Sequence, residues 1–204
     1  MNKLLVAAYP AMDWNSDGKV DLYREMVHSP AYYASSYDKK GKTKYLHTIT
    51  KAFLDGRKLL AAANGEKLTS KERNQLRSYA ETIEYNWEKT LAESVFKYAG
   101  SVFKDAKKLN ALIAKNIKPG KALKNYIKHW GELKGFSLAI QTGRKNLGAT
   151  AARLNKLIGY GPVMPNSSQV IDIDSKGNFV KGESSNLKEY MAHMLKVQKL
   201  MIDK

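Results

Sequence analysis

Cysteine is absent from the 204 residues, so neither a disulfide framework nor a thiolate metal site is available, and the redox compartment goes unread. Arginine is scarce. Of 35 basic side chains only Arg24, Arg57, Arg73, Arg77, Arg144 and Arg153 carry the planar fork that reads bases or grips phosphates bidentately, and sequence-specific nucleic-acid binding is not expected. Long apolar runs are missing too: no stretch approaches the ~18–20 residues a bilayer span needs. The opening Met1-Asn2-Lys3-Leu4-Leu5-Val6-Ala7-Ala8 is interrupted by Tyr9-Pro10 and reads as domain rather than signal peptide. Acidic residues are also under-supplied, 19 against 35, leaving a net charge of +16. Such a field attracts acidic ligands, anionic membrane surfaces or nucleic acid. The sequence shows no Ser/His/Asp order, HExxH motif or paired-acid motif, and Lys118-Pro119-Gly120-Lys121 reads as a turn, not a phosphate loop. A non-enzymatic protein is the expectation.

What is present is a helical pattern. The length suits one domain, and the 43% hydrophobic content with 12 spread tyrosines suits a packed core. Apolar residues recur at helical spacing over 22–37 with an interruption near Ser29-Pro30, over 45–63, and over 69–98 with a break or bend at Ala99-Gly100. The pattern resumes over 102–116, 122–141, 147–157 and 186–201. Thr69 and Glu72 form a capping-box signature, and Asn64-Gly65 and Lys118-Pro119-Gly120 are stops. Between 163 and 185, Val170-Ile171-Asp172-Ile173-Asp174, a Lys176-Gly177 turn and Phe179-Val180 predict a small β-hairpin or irregular excursion. The fold class read from this is all-α: a single helical bundle of about six helices in one domain, 1–204, with a calcium-type loop at 13–25.

That loop is the clearest chemical feature. Asp13, Asn15, Asp17 and Asp21 stand at relative positions 1, 3, 5 and 9, with Gly18 at position 6. Alternate side chains of a tight turn converge on one hard cation, and the glycine permits the reversal. Lys19 contributes its backbone carbonyl. Position 12 holds Arg24 where a regular EF-hand has glutamate, so Asp21, Glu25 or water completes the shell. Calcium is the expected ion, bound weakly at roughly 10⁻⁴–10⁻³ M, as in extracellular modules. The bland reading is a polar turn with Asp21 as N-cap.

A second constellation is His129 with Glu132, one helical turn apart, for which Glu84 and Glu88 are candidate co-ligands for iron or zinc. The structural alternative has His129 hydrogen-bonded to Glu132 or a tyrosine. His28, His47 and His193 are isolated.

Ala52-Phe53-Leu54-Asp55-Gly56-Arg57, Trp87-Glu88-Lys89 with the alanine-rich stretch to Tyr98, and His129-Trp130-Gly131-Glu132-Leu133-Lys134-Gly135-Phe136 carry a resemblance. Across roughly residues 45 to 160 the chain resembles the later part of an imelysin-related helical family of bacterial cell-envelope proteins, catalogued mainly as a domain of unknown function. The resemblance implies a longer parent domain, a periplasmic, outer-membrane-associated or extracellular location, and a link to iron acquisition. His129 and Glu132 match the end of the family's GxHxxE pattern, with Ile127 where the glycine belongs. It also implies that Gly56 lets a helix approach and that Arg57 pairs with a buried carboxylate. The functional expectation is a calcium-stabilised envelope or surface protein that binds an unidentified protein or acidic ligand. Alternatives are an imelysin-like transition-metal binder, a basic module using the lysines of 104–145, and a structural subunit of a surface assembly. No coiled-coil seam fixes an oligomeric state.

Overall fold

A computed structural model describes residues 18, 29–143, 147–164, 168–184 and 186–202. Among them are six α-helices and one two-stranded antiparallel hairpin, the all-α architecture with a small β excursion read from the sequence. The helices are α1 (Ser29–Asp38), α2 (Tyr45–Ala62), α3 (Ser70–Ala114), α4 (Gly120–Ala139), α5 (Ala149–Ile158) and α6 (Leu187–Ile202). Strands β1 (Ser168–Ile173) and β2 (Phe179–Ser184) lie between α5 and α6. No helix among the described residues is long and apolar enough to cross a membrane.

The chain forms two compact units, 1–91 and 92–204, whose division falls inside α3. In the first, Ala31, Ala34 and Leu46 make a buried cluster against which Tyr45 and Trp87 pack. Pro30 sits in the first turn of α1, where its missing N–H has no helical partner to lose. Gly56 of α2 is buried, and a Cβ there would lie 3.5 Å from Leu76 Cδ1 and 3.7 Å from Tyr79 Cδ2. These are ordinary van der Waals distances, so the approach of α3 does not require the glycine. Arg57 departs from expectation: it is exposed and forms no ion pair among the described residues, because the helix turns it away from the face Gly56 presents.

The start of α3 is the capping box foreseen from Thr69 and Glu72. Glu72 Oε2 accepts from the Thr69 amide at 2.8 Å, and the Glu72 amide donates to Thr69 Oγ1 at 3.3 Å. Donation from the Thr69 hydroxyl to Glu72 Oε2 at 2.7 Å, and then from the Thr69 amide, holds the Glu72 carboxyl below its usual range. No break occurs at Ala99-Gly100; α3 runs 45 residues without interruption. A lone glycine costs a helix only about 1 kcal/mol, and here it faces α6. Gln198 donates to Phe96 O at 3.1 Å, and its Nε2 would lie 2.8 Å from a Cβ on Gly100.

In the second unit Val95, Val102 and Leu109 of α3, Tyr126 and Leu133 of α4, Leu154 and Ile158 of α5, and Met194 and Val197 of α6 are buried. The hairpin pairs Val170 with Lys181, Asp172 with Val180 and Ile173 with Phe179. The Lys176-Gly177 turn falls where the sequence places it, and Asp174 braces it. One carboxylate oxygen accepts from the Lys176 and Asn178 amides at 2.9 and 2.8 Å, and Gly177 takes a left-handed φ of +83°. The Asn178 contacts lower the Asp174 pKa.

Candidate functional site

Gly18 is the one residue of the Asp13–Asp21 loop within the described residues, and its φ is +78°. This is the left-handed backbone a sharp reversal needs and that a side chain would strain. The ligand candidates Asp13, Asn15, Asp17, Lys19, Asp21 and Glu25 lie outside the described residues.

His129 is placed by α4, whose stripe of Ala122, Tyr126, Leu133 and Ser137 faces the core. Its partner is neither Glu132 nor a tyrosine hydroxyl. Nδ1 is 2.6 Å from Oδ2 of Asp105 on α3, and the side chains are 29% and 18% exposed. A carboxylate accepts and a ring N–H donates, so the pair puts the proton on Nδ1. The Tyr98 ring, stacked on Phe136 with centroids 5.7 Å apart, lies 6.0 Å from the imidazole. Sequence reasoning overlooked Asp105. The available signal was its isolation as the only acid between Glu93 and Glu132, amid nine lysines.

Glu132, three residues beyond His129, keeps Oε2 buried without a hydrogen bond. Glu84 and Glu88 are half-buried on the part of α3 within the first unit. Among the described residues no group of three or more His, Asp or Glu side chains is gathered to hold a metal. Chemically, a histidine whose Nδ1 is held by a carboxylate has its orientation fixed and its other nitrogen suited to a ligand. No hydroxyl hydrogen-bonds to His129 among the described residues.

The same helix fastens the segment after α5. Tyr126 donates to Val163 O at 2.9 Å, Trp130 Nε1 to Ile158 O at 3.3 Å, and Lys134 to Gly159 O at 2.9 Å. Tyr190 of α6 donates to Ile158 O at 2.8 Å. Ile158 ends α5, so its carbonyl is one that a terminating helix leaves open. Gly159, at φ +81° and ψ −179°, ends α5 in a positive-φ backbone that suits glycine, and its amide donates to Asn155 O at 2.9 Å. Burial raises the pKa of both tyrosines far above the usual phenol value.

Comparison with known proteins gives no matching family model, curated protein or solved structure.

Proposed function

We propose that the protein is a non-enzymatic binding protein of the bacterial envelope or cell surface, related to the imelysin group and clamped near its start by one calcium ion. Asp13, Asn15, Asp17 and Asp21 supply side-chain oxygens, Lys19 a carbonyl, and Glu25 the closing carboxylate. The supporting observation is the oxygen spacing around Gly18 together with that residue's left-handed φ of +78°. A site without the twelfth-position glutamate is weak and fills at extracellular rather than cytosolic calcium, which supports a periplasmic, outer-membrane-associated or extracellular location. Calorimetric titration is expected to give one site with Kd of about 10⁻⁴–10⁻³ M, lost in both Asp13→Ala and Asp17→Ala. Absence of any binding heat up to millimolar calcium would sink the clamp.

A second reading makes His129 part of a low-coordination iron or zinc site. It is supported by the Asp105 anchor at Nδ1 and by the unpartnered buried Oε2 of Glu132. Elemental analysis after chelator-free purification is expected to show iron or zinc in the wild type and several-fold less in His129→Ala. Equal content in the two proteins removes His129 from the reading.

A further inference from the structure

The turn joining α3 to α4 is the most one-sidedly charged part of the second unit. Lys115 follows the last residue of α3, Lys118 lies in the turn and Lys121 enters α4. Lys108 and Lys124 follow within about two turns on either side. All five are exposed, and none forms an ion pair among the described residues. The one nearby acid in the sequence, Asp105, is engaged by His129.

The tip is well defined. Asn116 takes a left-handed φ of +54°, its amide donates to Ile113 O at 2.9 Å, and the Ile117 amide donates to Leu112 O at 2.9 Å. This is the paired closure in which the residue after the left-handed position usually packs back on its helix. Ile117 is instead 50% exposed, between Lys115 and Lys118, and Ile127 on α4 is 41% exposed. An apolar side chain held outward among ammonium groups has a specific complement: anionic headgroups over hydrocarbon. A nucleic acid fits less well. Residues 104–128 contain no arginine fork, their one tyrosine, Tyr126, is buried, and an isoleucine gains nothing against phosphate.

We propose that the α3–α4 tip docks the protein onto an anionic lipid surface, with Lys115, Lys118 and Lys121 on the lipid phosphates and Ile117 entering the headgroup boundary. This stands independently of the calcium clamp. The probe is the full chain with vesicles of phosphatidylcholine, with and without about one-third phosphatidylglycerol. Binding to the anionic vesicles is expected to be about 100-fold or more tighter and to weaken on raising the salt. The triple variant Lys115→Gln, Lys118→Gln, Lys121→Gln should lose roughly 100-fold, at about fivefold per lysine. Lys58→Gln, Lys67→Gln, Lys71→Gln, which removes the same charge from the first unit, should change it less than about threefold. Ile117→Ser should weaken binding several-fold with the salt dependence unaltered, since only the apolar part is removed. Circular dichroism verifies that each variant is folded. Equal binding to neutral and anionic vesicles overturns the proposal, as does equal loss in the two triple variants. Tighter binding to duplex DNA, with Ile117→Ser silent, overturns it in favour of a nucleic-acid surface.

Discussion

Raising the pH from about 10 to about 12 is expected to unfold the 92–204 unit, because two buried phenols resist ionisation there. Tyr126 is 0% and Tyr190 4% exposed, and each hydroxyl donates to a backbone carbonyl. Burial is the main reason both pKa values rise, and for Tyr126 the neighbouring Tyr190 adds to it. In the unfolded chain each returns to the ordinary value of 10.0. Below that pH both states keep their protons, and these groups contribute no pH dependence. Above it the unfolded state releases protons that the native state still holds, so the unfolded state binds fewer and stability falls as pH rises. The slope is about 1.4 kcal/mol per pH unit for each tyrosine, roughly 2.7 for the pair. Two pH units then remove around 5 kcal/mol, comparable with the whole stability of a typical domain. Urea unfolding at successive pH values, followed by circular dichroism, measures the slope. The double variant Tyr126→Phe, Tyr190→Phe isolates the phenols. It should be about 1–3 kcal/mol less stable at neutral pH, from the lost hydrogen bonds, and distinctly less sensitive above pH 10. An unchanged alkaline slope in that variant would refute the assignment.

The same two tyrosines show where sequence reading stops. Tyr126 is recognisable as a core residue of α4 from its spacing with Leu123, Ile127 and Trp130, since an apolar stripe needs only 3.6-residue periodicity. That its hydroxyl reaches Val163, 37 positions on, is a property of packing that no window contains. Local devices were legible for the same reason: the Thr69–Glu72 box closes over three residues, and the stop at Asn64-Gly65 is set by backbone handedness, φ +44° and +86°. Gly100 misled because its helix-breaking tendency is small and its actual neighbour, Gln198, lies almost at the other end of the chain. At His129 the sequence offered the adjacent carboxylate at i+3, whereas the structure supplies Asp105 from α3, 24 residues away. The proposed calcium pattern is also local, spanning about a dozen residues of sequence, and its ligand candidates lie outside the described residues.

Asp38→Ala is expected to destabilise the 1–91 unit by about 3 kcal/mol, a large effect for a residue that shows no functional motif. Asp38 ends α1 and is 6% exposed. Its Oδ1 accepts from the Thr43 hydroxyl at 2.7 Å and the Tyr45 amide at 2.8 Å, and its Oδ2 from the Leu46 amide at 2.9 Å. These are the first amides of α2, which have no intrahelical acceptor. Lys44, the residue before α2, provides no side-chain cap. The carboxylate thus does from the preceding helix what an N-cap does locally, with a negative charge at the positive end of the helix dipole. It also fixes the position of Leu46, which is fully buried against Ala31 and Ala34. Alanine removes every acceptor at once and leaves the Leu46 amide buried and unpaired, at about 1–3 kcal/mol for that group alone. Asp38→Asn retains one acceptor oxygen and should lose roughly half as much. Hydrogen exchange at the Tyr45 and Leu46 amides reads the effect locally, with protection expected to fall about 100-fold in the alanine variant. Retention of wild-type protection at Leu46 would mean that α2 is held by its apolar face alone and that the carboxylate contributes nothing beyond solvation.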